Sequence, residues 1–313
     1  MIIAQNFPNK EFMSNHIHNN NCPVCNSTRI QFVLNAKDHT VSGEEFAVWE
    51  CEGCSLRFTQ DVPDSFSIGP YYKAEEYISH TNTSKGMINR LYQVVRRRTL
   101  VSKRKMVEKH TGKKSGSLLD YGSGTGNFAN EMKGAGWNVT ALEPDEDARK
   151  LAAQAHGLEV QPLSEFYSIP PDSFDAITLW HVLEHVHDLD ETMAHLKRLL
   201  KPGGKLFIAV PNYTSTDQQA YGKFWAAYDV PRHLYHFSPT SMERLAEKHG
   251  LRIDEFLPQW YDSFYISLLS SRYKHGNPQW ISAGWNGLRS NLKTLRNKKK
   301  CSSVVYVIGP LIN

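Results

Sequence analysis

The chain has 313 residues, of which 40% are hydrophobic, 11% aromatic and 22% charged, with a formal net charge of +4. Its Trp, Tyr and Phe residues supply buriable surface that a disordered chain lacks. No run approaches the ~20 apolar residues of a membrane-spanning helix. The opening Met1-Ile2-Ile3-Ala4-Gln5-Asn6 has no basic stretch followed by an apolar run, so a cytoplasmic location is expected.

Two cysteine pairs come first, Cys22-Pro23-Val24-Cys25 and Cys51-Glu52-Gly53-Cys54, with 25 residues between them. Two such knuckles bring four thiolates within reach of one tetrahedral zinc ion, and four sulfur ligands leave no open position for water or substrate. Cys22, Cys25, Cys51 and Cys54 are therefore expected to form a structural zinc ribbon over residues 1–60, with Phe46-Ala47-Val48-Trp49 as a strand leading into the second knuckle. Two disulfides are the alternative, poorly suited to a reducing compartment. Cys301 stands alone and receives no role.

Residues 61–115 read as a connector, rich in Pro, Ser, Tyr and Gly up to Ser84, followed by one or two amphipathic helices. Met87, Ile88, Leu91, Val94, Val95, Val101 and Val107 recur there at nearly helical spacing. From Arg90 to Lys114 ten Lys or Arg accompany a single acid, Glu108, and from Trp285 to Lys300 six more accompany none. Segregated charge of this kind suggests surfaces for an anionic group: a nucleotide diphosphate, lipid headgroups or nucleic acid. A solvated helix face is the plainer alternative, and peripheral membrane contact by the first run a third.

Ser117-Leu118-Leu119-Asp120-Tyr121 then reads as a buried strand that turns through Gly122, Gly124 and Gly126 into a helix over 127–134. Glycines suit a loop whose backbone must turn sharply and let a ligand approach closer than a Cβ allows. The next strand, Trp137 to Leu142, ends in Glu143, 21 residues after Gly122, where a carboxylate can accept bonds from both ribose hydroxyls. A dinucleotide fingerprint would place its third glycine at 127, which is Asn.

This GxGxG loop preceded by Asp120 resembles the first motif of class I S-adenosylmethionine-dependent methyltransferases. Ser173 to Trp180, followed by His181-Val182-Leu183-Glu184-His185-Val186, resembles that family's fourth strand, and Leu199-Leu200-Lys201-Pro202-Gly203-Gly204-Lys205-Leu206 its turn into the fifth. The resemblance covers about 116–258, with a last strand at Ser303–Ile308. It implies an α/β fold, a Rossmann-like class I methyltransferase sheet over 116–313 behind the zinc-ribbon module. It also implies S-adenosyl-L-methionine as cofactor: Gly122, Gly124 and Gly126 around the methionine end, Asp120 supporting the ammonium, Glu143 on the ribose, and Trp180 and His181 near the sulfonium. The acid that many relatives place on the adenine amine is missing, which leaves Leu163 and Ser164 as the candidates.

Methyl transfer to a hydroxyl or an acidic carbon calls for a base, and histidine titrates in the right range. His185, His233 and His236 are the candidates, the last two in Asp229-Val230-Pro231-Arg232-His233-Leu234-Tyr235-His236-Phe237-Ser238, where Arg232 offers a fork for a carboxylate or phosphate. Ser238-Pro239 reads as a helix start. The segment 261–300, with Tyr265, Tyr273, Trp280 and Trp285, is expected to form a lid over the acceptor. The acceptor is expected to be a small or conjugated metabolite, a sugar or other anionic acceptor, methylated on oxygen or carbon. An RNA base methyltransferase and a catalytically inert partner-binding module are the alternatives.

Overall fold

The computed structural model describes residues 15–72 and 87–311, without the side chains of 87–95. The expectations for the first residues, for most of the connector, and for the side chains of Met87, Ile88, Arg90, Leu91, Val94 and Val95 fall outside the described residues. The N-terminal strands are β1 (His16–Ile17), β2 (Ile30–Lys37), β3 (Glu45–Cys51), β4 (Arg57–Thr59) and β5 (Val62–Pro63). Helix α1 (Met87–Thr111) carries the chain to β6 (Ser117–Tyr121), α2 (Asn127–Gly134), β7 (Asn138–Leu142) and α3 (Glu146–His156). There follow β8 (Phe174–Trp180), α4 (Leu189–Leu199), β9 (Leu200–Pro211), α5 (Thr216–Tyr221), β10 (Tyr235–His236) and α6 (Pro239–Lys248). The chain closes with β11 (Leu251–Pro258), α7 (Asp262–His275), α8 (Trp280–Arg296) and β12 (Ser303–Pro310).

The main sheet has the order β11-β12-β9-β8-β6-β7. The neighbours β7, β6, β8 and β9 are parallel, while β12 enters antiparallel between β9 and β11. Parallel strands are covered on both faces and read as apolar runs, and β8 and β12 are buried almost throughout. The order reverses between β6 and β8, whose crossovers leave toward opposite edges, so a crevice opens at their carboxyl ends. Local chemistry fixes the helix starts: the Asp145 carboxylate caps α3, and the Ser238 hydroxyl caps α6 in a capping box with Ser241, with Pro239 at the first helical position.

The small N-terminal sheet takes its outermost strand from far along the chain. Its order is β10-β4-β3-β2, with Tyr235 opposite Phe58 and His236 opposite Arg57. Cys22, Val24, Leu56 and Phe58 share one apolar core with Leu179, Leu206 and Phe237 of the larger unit.

Two expectations need correction. Arg232 is not an open fork: its side chain is 2% exposed and bonds to Asp229, Asp38, Thr40 and the Tyr71 carbonyl. Desolvating a guanidinium requires such saturation, and Asp38 and Asp229 supply it. The first basic run is spent internally only in part, since Arg97, Arg98, Lys105 and Lys109 are exposed. Arg104 pairs with Glu108 and Glu131, Lys113 with Asp175 and Lys114 with Glu108, while Lys103 turns onto Trp180. The segment 261–300 is a helical hairpin whose Trp280 and Trp285 face solvent rather than an acceptor, and Tyr273 stacks on His39 with ring centroids 4.3 Å apart. Among the described residues no helix is long and apolar enough to cross a membrane.

Candidate functional site

The loop after β6 explains itself through its backbone. Gly122, Gly124 and Gly126 lie at φ 74°, 54° and 73°, the left-handed region that side chains resist. Gly122 and Ser123 both donate their N–H to the Leu142 carbonyl at 2.9 Å, folding the loop back over the end of β7. A Cβ on Gly122 would lie 2.5 Å from Val182 Cγ2, and one on Gly126 3.0 Å from Ala152 Cβ. A Cβ on Gly124 would meet nothing within 4 Å, so this glycine's open side faces space rather than a packed neighbour.

Around that space polar atoms are left over. Asp120 Oδ2, Ser123 Oγ and Trp180 Nε1 are buried without a hydrogen-bond partner, although buried polar groups are as a rule paired. The other Asp120 oxygen accepts from the Thr178 hydroxyl at 2.7 Å, and burial raises the Asp120 carboxyl to about 6. Glu143, at the end of β7, accepts from Gly124 N–H at 2.7 Å and from Asp145 N–H at 3.0 Å. Burial pushes its carboxyl upward. An open glycine cradle flanked by two carboxylates and orphaned polar atoms fits a cationic, polyhydroxylated ligand such as S-adenosylmethionine. Leu163, half-buried, and Ser164, exposed, begin a short 3-10 turn just beyond Gln161, which bridges to Leu142 at the edge of the same sheet.

Trp180 closes the other side, half-buried edge-to-face with Phe128 at 5.2 Å. Lys103 of α1 holds its ammonium 4.2 Å from the centre of the Trp180 ring. Burial pulls Lys103 down to about 8 against the opposing influence of Asp262 and Asp120. Its charge belonged to the basic run in the sequence, and nothing in that run singled it out. His181, at φ 59°, contacts Gln259 at 3.0 Å, Asp262 at 3.3 Å and Glu184 at 3.5 Å. Burial alone would lower its pKa, but Asp262 and Glu184 outweigh burial and raise it to about 9.

A second polar cluster follows. Glu184 is fully buried with neither carboxylate oxygen hydrogen-bonded, and it shares a space with His185 and His233, one ligand atom of each lying within 4.8 Å of the others. The imidazoles meet edge-to-face at 4.6 Å. His185 Nδ1 lies 2.9 Å from the Arg232 carbonyl and His233 Nδ1 2.9 Å from the Ala227 carbonyl. A carbonyl only accepts, so each Nδ1 donates its N–H and Nε2 is the nitrogen left over on each ring. Burial, then His233, pushes His185 down to about 4, whereas burial raises the Glu184 carboxyl and the His181 contact, foremost among its neighbours, draws it below its ordinary value. His236 lies instead in the β4–β10 seam, its Nε2 3.1 Å from the Thr59 hydroxyl and its ring against Tyr228. Burial drives its pKa well down. Of the residues missed in the sequence, Glu184 stood inside a quoted motif without a role, and Lys103 and Asp262 carried no local signal.

Cys22, Cys25, Cys51 and Cys54 bring their sulfurs within 4.8 Å of one another, with Cys22–Cys54 and Cys25–Cys51 each at 3.5 Å. The two knuckles are built alike. Asn26 N–H returns to the Cys22 carbonyl and Ser55 N–H to the Cys51 carbonyl, and Asn26 and Ser55 are both left-handed. Sulfur edges near this length suit a tetrahedron with metal–sulfur bonds of about 2.3 Å.

A sequence-family model described as a methyltransferase domain matches residues 92–255, just over half of the chain. A ubiquinone biosynthesis O-methyltransferase of Xanthomonas oryzae pv. oryzae is 35% identical over 130 residues, 38% of this chain and 54% of that protein. One of the same description from Thiobacillus denitrificans is 28% identical over 158 residues, 46% of this chain and 68% of that protein. The chain thus spans about half the length of the first curated relatives it matches. A solved Burkholderia thailandensis 1,6-didemethyltoxoflavin-N1-methyltransferase, with bound S-adenosylhomocysteine, aligns over 87% of this chain and 98% of its own at 14% identity and TM-score 0.48, too distant to speak for function.

Proposed function

The chain belongs to the methyltransferase-domain family, and from that premise we propose that it transfers a methyl group from S-adenosylmethionine to a hydroxyl of a small-molecule acceptor. The observation that carries the reading is the open cradle at Gly124 with its orphaned Asp120 Oδ2. Asp120 and the loop backbone would hold the amino-acid end of the cofactor, Glu143 the ribose, Leu163 and Ser164 the adenine, and Trp180 and His181 the region of the sulfonium. When bound, the cofactor supplies a methyl group activated by positive sulfur, leaving the protein to align the acceptor and handle its proton.

The proton falls to the His185–His233 pair. Each ring is oriented by a backbone carbonyl and presents Nε2, and the Glu184 carboxylate stabilises the imidazolium that forms when either accepts a proton. His236, with its Nε2 on Thr59, takes the weaker part of orienting the seam that carries His233. His185→Gln and His233→Gln are each expected to lower kcat by about 10²- to 10³-fold, the scale of general-base catalysis, with cofactor affinity nearly unchanged. Steady-state kinetics with a pool of hydroxyl-bearing small-molecule acceptors checks this. Full turnover in both variants would remove histidine base catalysis. The relatives described as O-methyltransferases favour oxygen over carbon as the acceptor atom.

The four-cysteine cluster is assigned a structural zinc. Its loss would release the knuckles and, through β4, the pairing that holds β10. Metal analysis is expected to give one zinc per chain. Removal by a strong chelator should unfold the N-terminal sheet, since structural zinc contributes roughly 10 kcal/mol or more in small modules. A metal-free protein with an unchanged melting temperature would refute the assignment.

A further inference from the structure

The hairpin of α7 and α8 has its apolar side on the wrong face for a helix pair in water. The inner face of α8 is made of small and polar residues, Ala283, Gly287, Ser290 and Thr294, and α7 meets it with Ser263, Ser267, Ser270 and Ser271 among its buried residues. Gly287 allows this closeness, because a Cβ there would lie 2.6 Å from Phe264 Cδ1. The outer face carries Ile281, Trp285, Leu288, Leu292 and Leu295, with Ile281 92% exposed, Leu295 70% and Trp285 67%. Their spacing of four, three, four and three residues lays them in one stripe about 20 Å long.

This orientation is anchored. Ser290 donates to Asp217 at 3.1 Å, Asn286 Nδ2 donates to the Tyr221 hydroxyl at 3.0 Å, and Ala226 N–H donates to Ser270 Oγ at 2.8 Å. Rotating α8 to hide the stripe would break these bonds and bury Arg289, Lys293 and Arg296, so the hairpin is no lid in transit.

Charge identifies what covers the stripe. From Ser263 to Lys300 the sequence has eight Lys or Arg and no acid. Lys298 and Lys299 pair with Glu255 and Glu243, but Arg289, Lys293 and Arg296 are exposed along one flank of the stripe, and among the described residues no ion pair is found for them. At about 100° per residue these three fall beside the apolar line, away from the buried face. An apolar helical stripe bearing tryptophan and flanked by cations is the geometry of a helix lying in a membrane interface. Two copies meeting through this face would bring like charges together, which disfavours a dimer there.

We infer that the outer face of the α7–α8 hairpin docks the protein on an anionic lipid surface, with Ile281, Trp285, Leu288, Leu292 and Leu295 entering the acyl boundary and Arg289, Lys293 and Arg296 meeting the headgroups. Asp262, the first residue of α7, contacts His181, so docking sets the candidate site close to the bilayer. The inference goes beyond methyl transfer and does not rest on it.

Co-sedimentation of the full chain with phosphatidylcholine vesicles, with and without phosphatidylglycerol, tests it. Binding to the anionic vesicles is expected, weakening as salt rises, with a blue shift of tryptophan emission. Ile281→Ser, Leu288→Ser and Leu292→Ser together should weaken binding at least tenfold. Arg289→Gln, Lys293→Gln and Arg296→Gln should remove the preference for phosphatidylglycerol. Both variants should keep the wild-type melting temperature and affinity for S-adenosylmethionine, which separates loss of docking from failure of the fold or the cofactor site. No vesicle binding by the wild type, or binding indifferent to the serine substitutions, would overturn the inference. So would a dimer in sedimentation that the serine substitutions convert to monomer.

Discussion

Gly124→Arg is expected to leave the protein folded and to weaken S-adenosylmethionine binding more than 100-fold, about 2.7 kcal/mol or more. The Cβ enters space with no atom within 4 Å, and the strain of a non-glycine residue at φ 54° costs about 1–2 kcal/mol. For a chain of this size that lowers Tm by only a few degrees, on the scale of about 2–4 °C per kcal/mol. The guanidinium then fills the cradle and adds a positive charge where a cationic ligand would meet Asp120. Gly122 would be the wrong choice, because its Cβ collides with Val182 and confounds folding with binding. Calorimetric titration beside a thermal melt reads both quantities. Retained affinity in a folded variant would show that the ligand does not lie on this loop and would withdraw the cofactor assignment.

Arg232→Met is expected to cost about 3 kcal/mol of stability, at the lower end of the 3–5 kcal/mol for breaking a buried ion pair. Asp38 is fully buried and keeps bonds from Thr40, Val41 and Ser42 after the guanidinium is gone, which moderates the loss. Burial opposes ionisation of Asp38, yet those backbone bonds and Arg232 hold its carboxyl at about 2, so at neutral pH the variant leaves a buried charge without its cation. Asp229 loses its partner as well, and Asp229 accepts the His233 N–H through its carbonyl at 3.0 Å. Activity should therefore fall further than stability, with kcat lost by misplacing His233. Urea denaturation and kinetics check this together. The sequence expectation, an arginine that grips an anionic acceptor, makes the opposite forecast: a raised KM for the acceptor at unchanged stability.

Motifs whose parts lie close in the chain were legible without coordinates. The loop from Asp120 to Gly126, the strand ending at Glu143 and the cap at Ser238 lie where spacing puts them, because a turn, a strand end and a helix start depend on neighbours within a few residues. The cysteine knuckles were legible for a related reason: four soft ligands in two identical spacings have few chemical uses. Side chains whose partners are distant were not. Arg232 reads as a free anion fork until Asp38, 194 residues earlier, arrives to neutralise it. His236 reads as a base until β4 covers it with Thr59.

Amphipathic periodicity shows the same division. It identified α1, but it does not say which face of a helix is inside. In α8 the serine and glycine face is inside, held by Asp217 and Tyr221, and the tryptophan and leucine face is outside. The sequence by itself determined the fold family, the glycine loop after β6 and the gathering of four cysteines, because those rest on short-range geometry and ligand chemistry. Only the tertiary structure decided which charges are spent internally, which histidines share a carboxylate and which apolar face meets solvent, because each depends on what is packed against a residue rather than on what lies beside it in the chain.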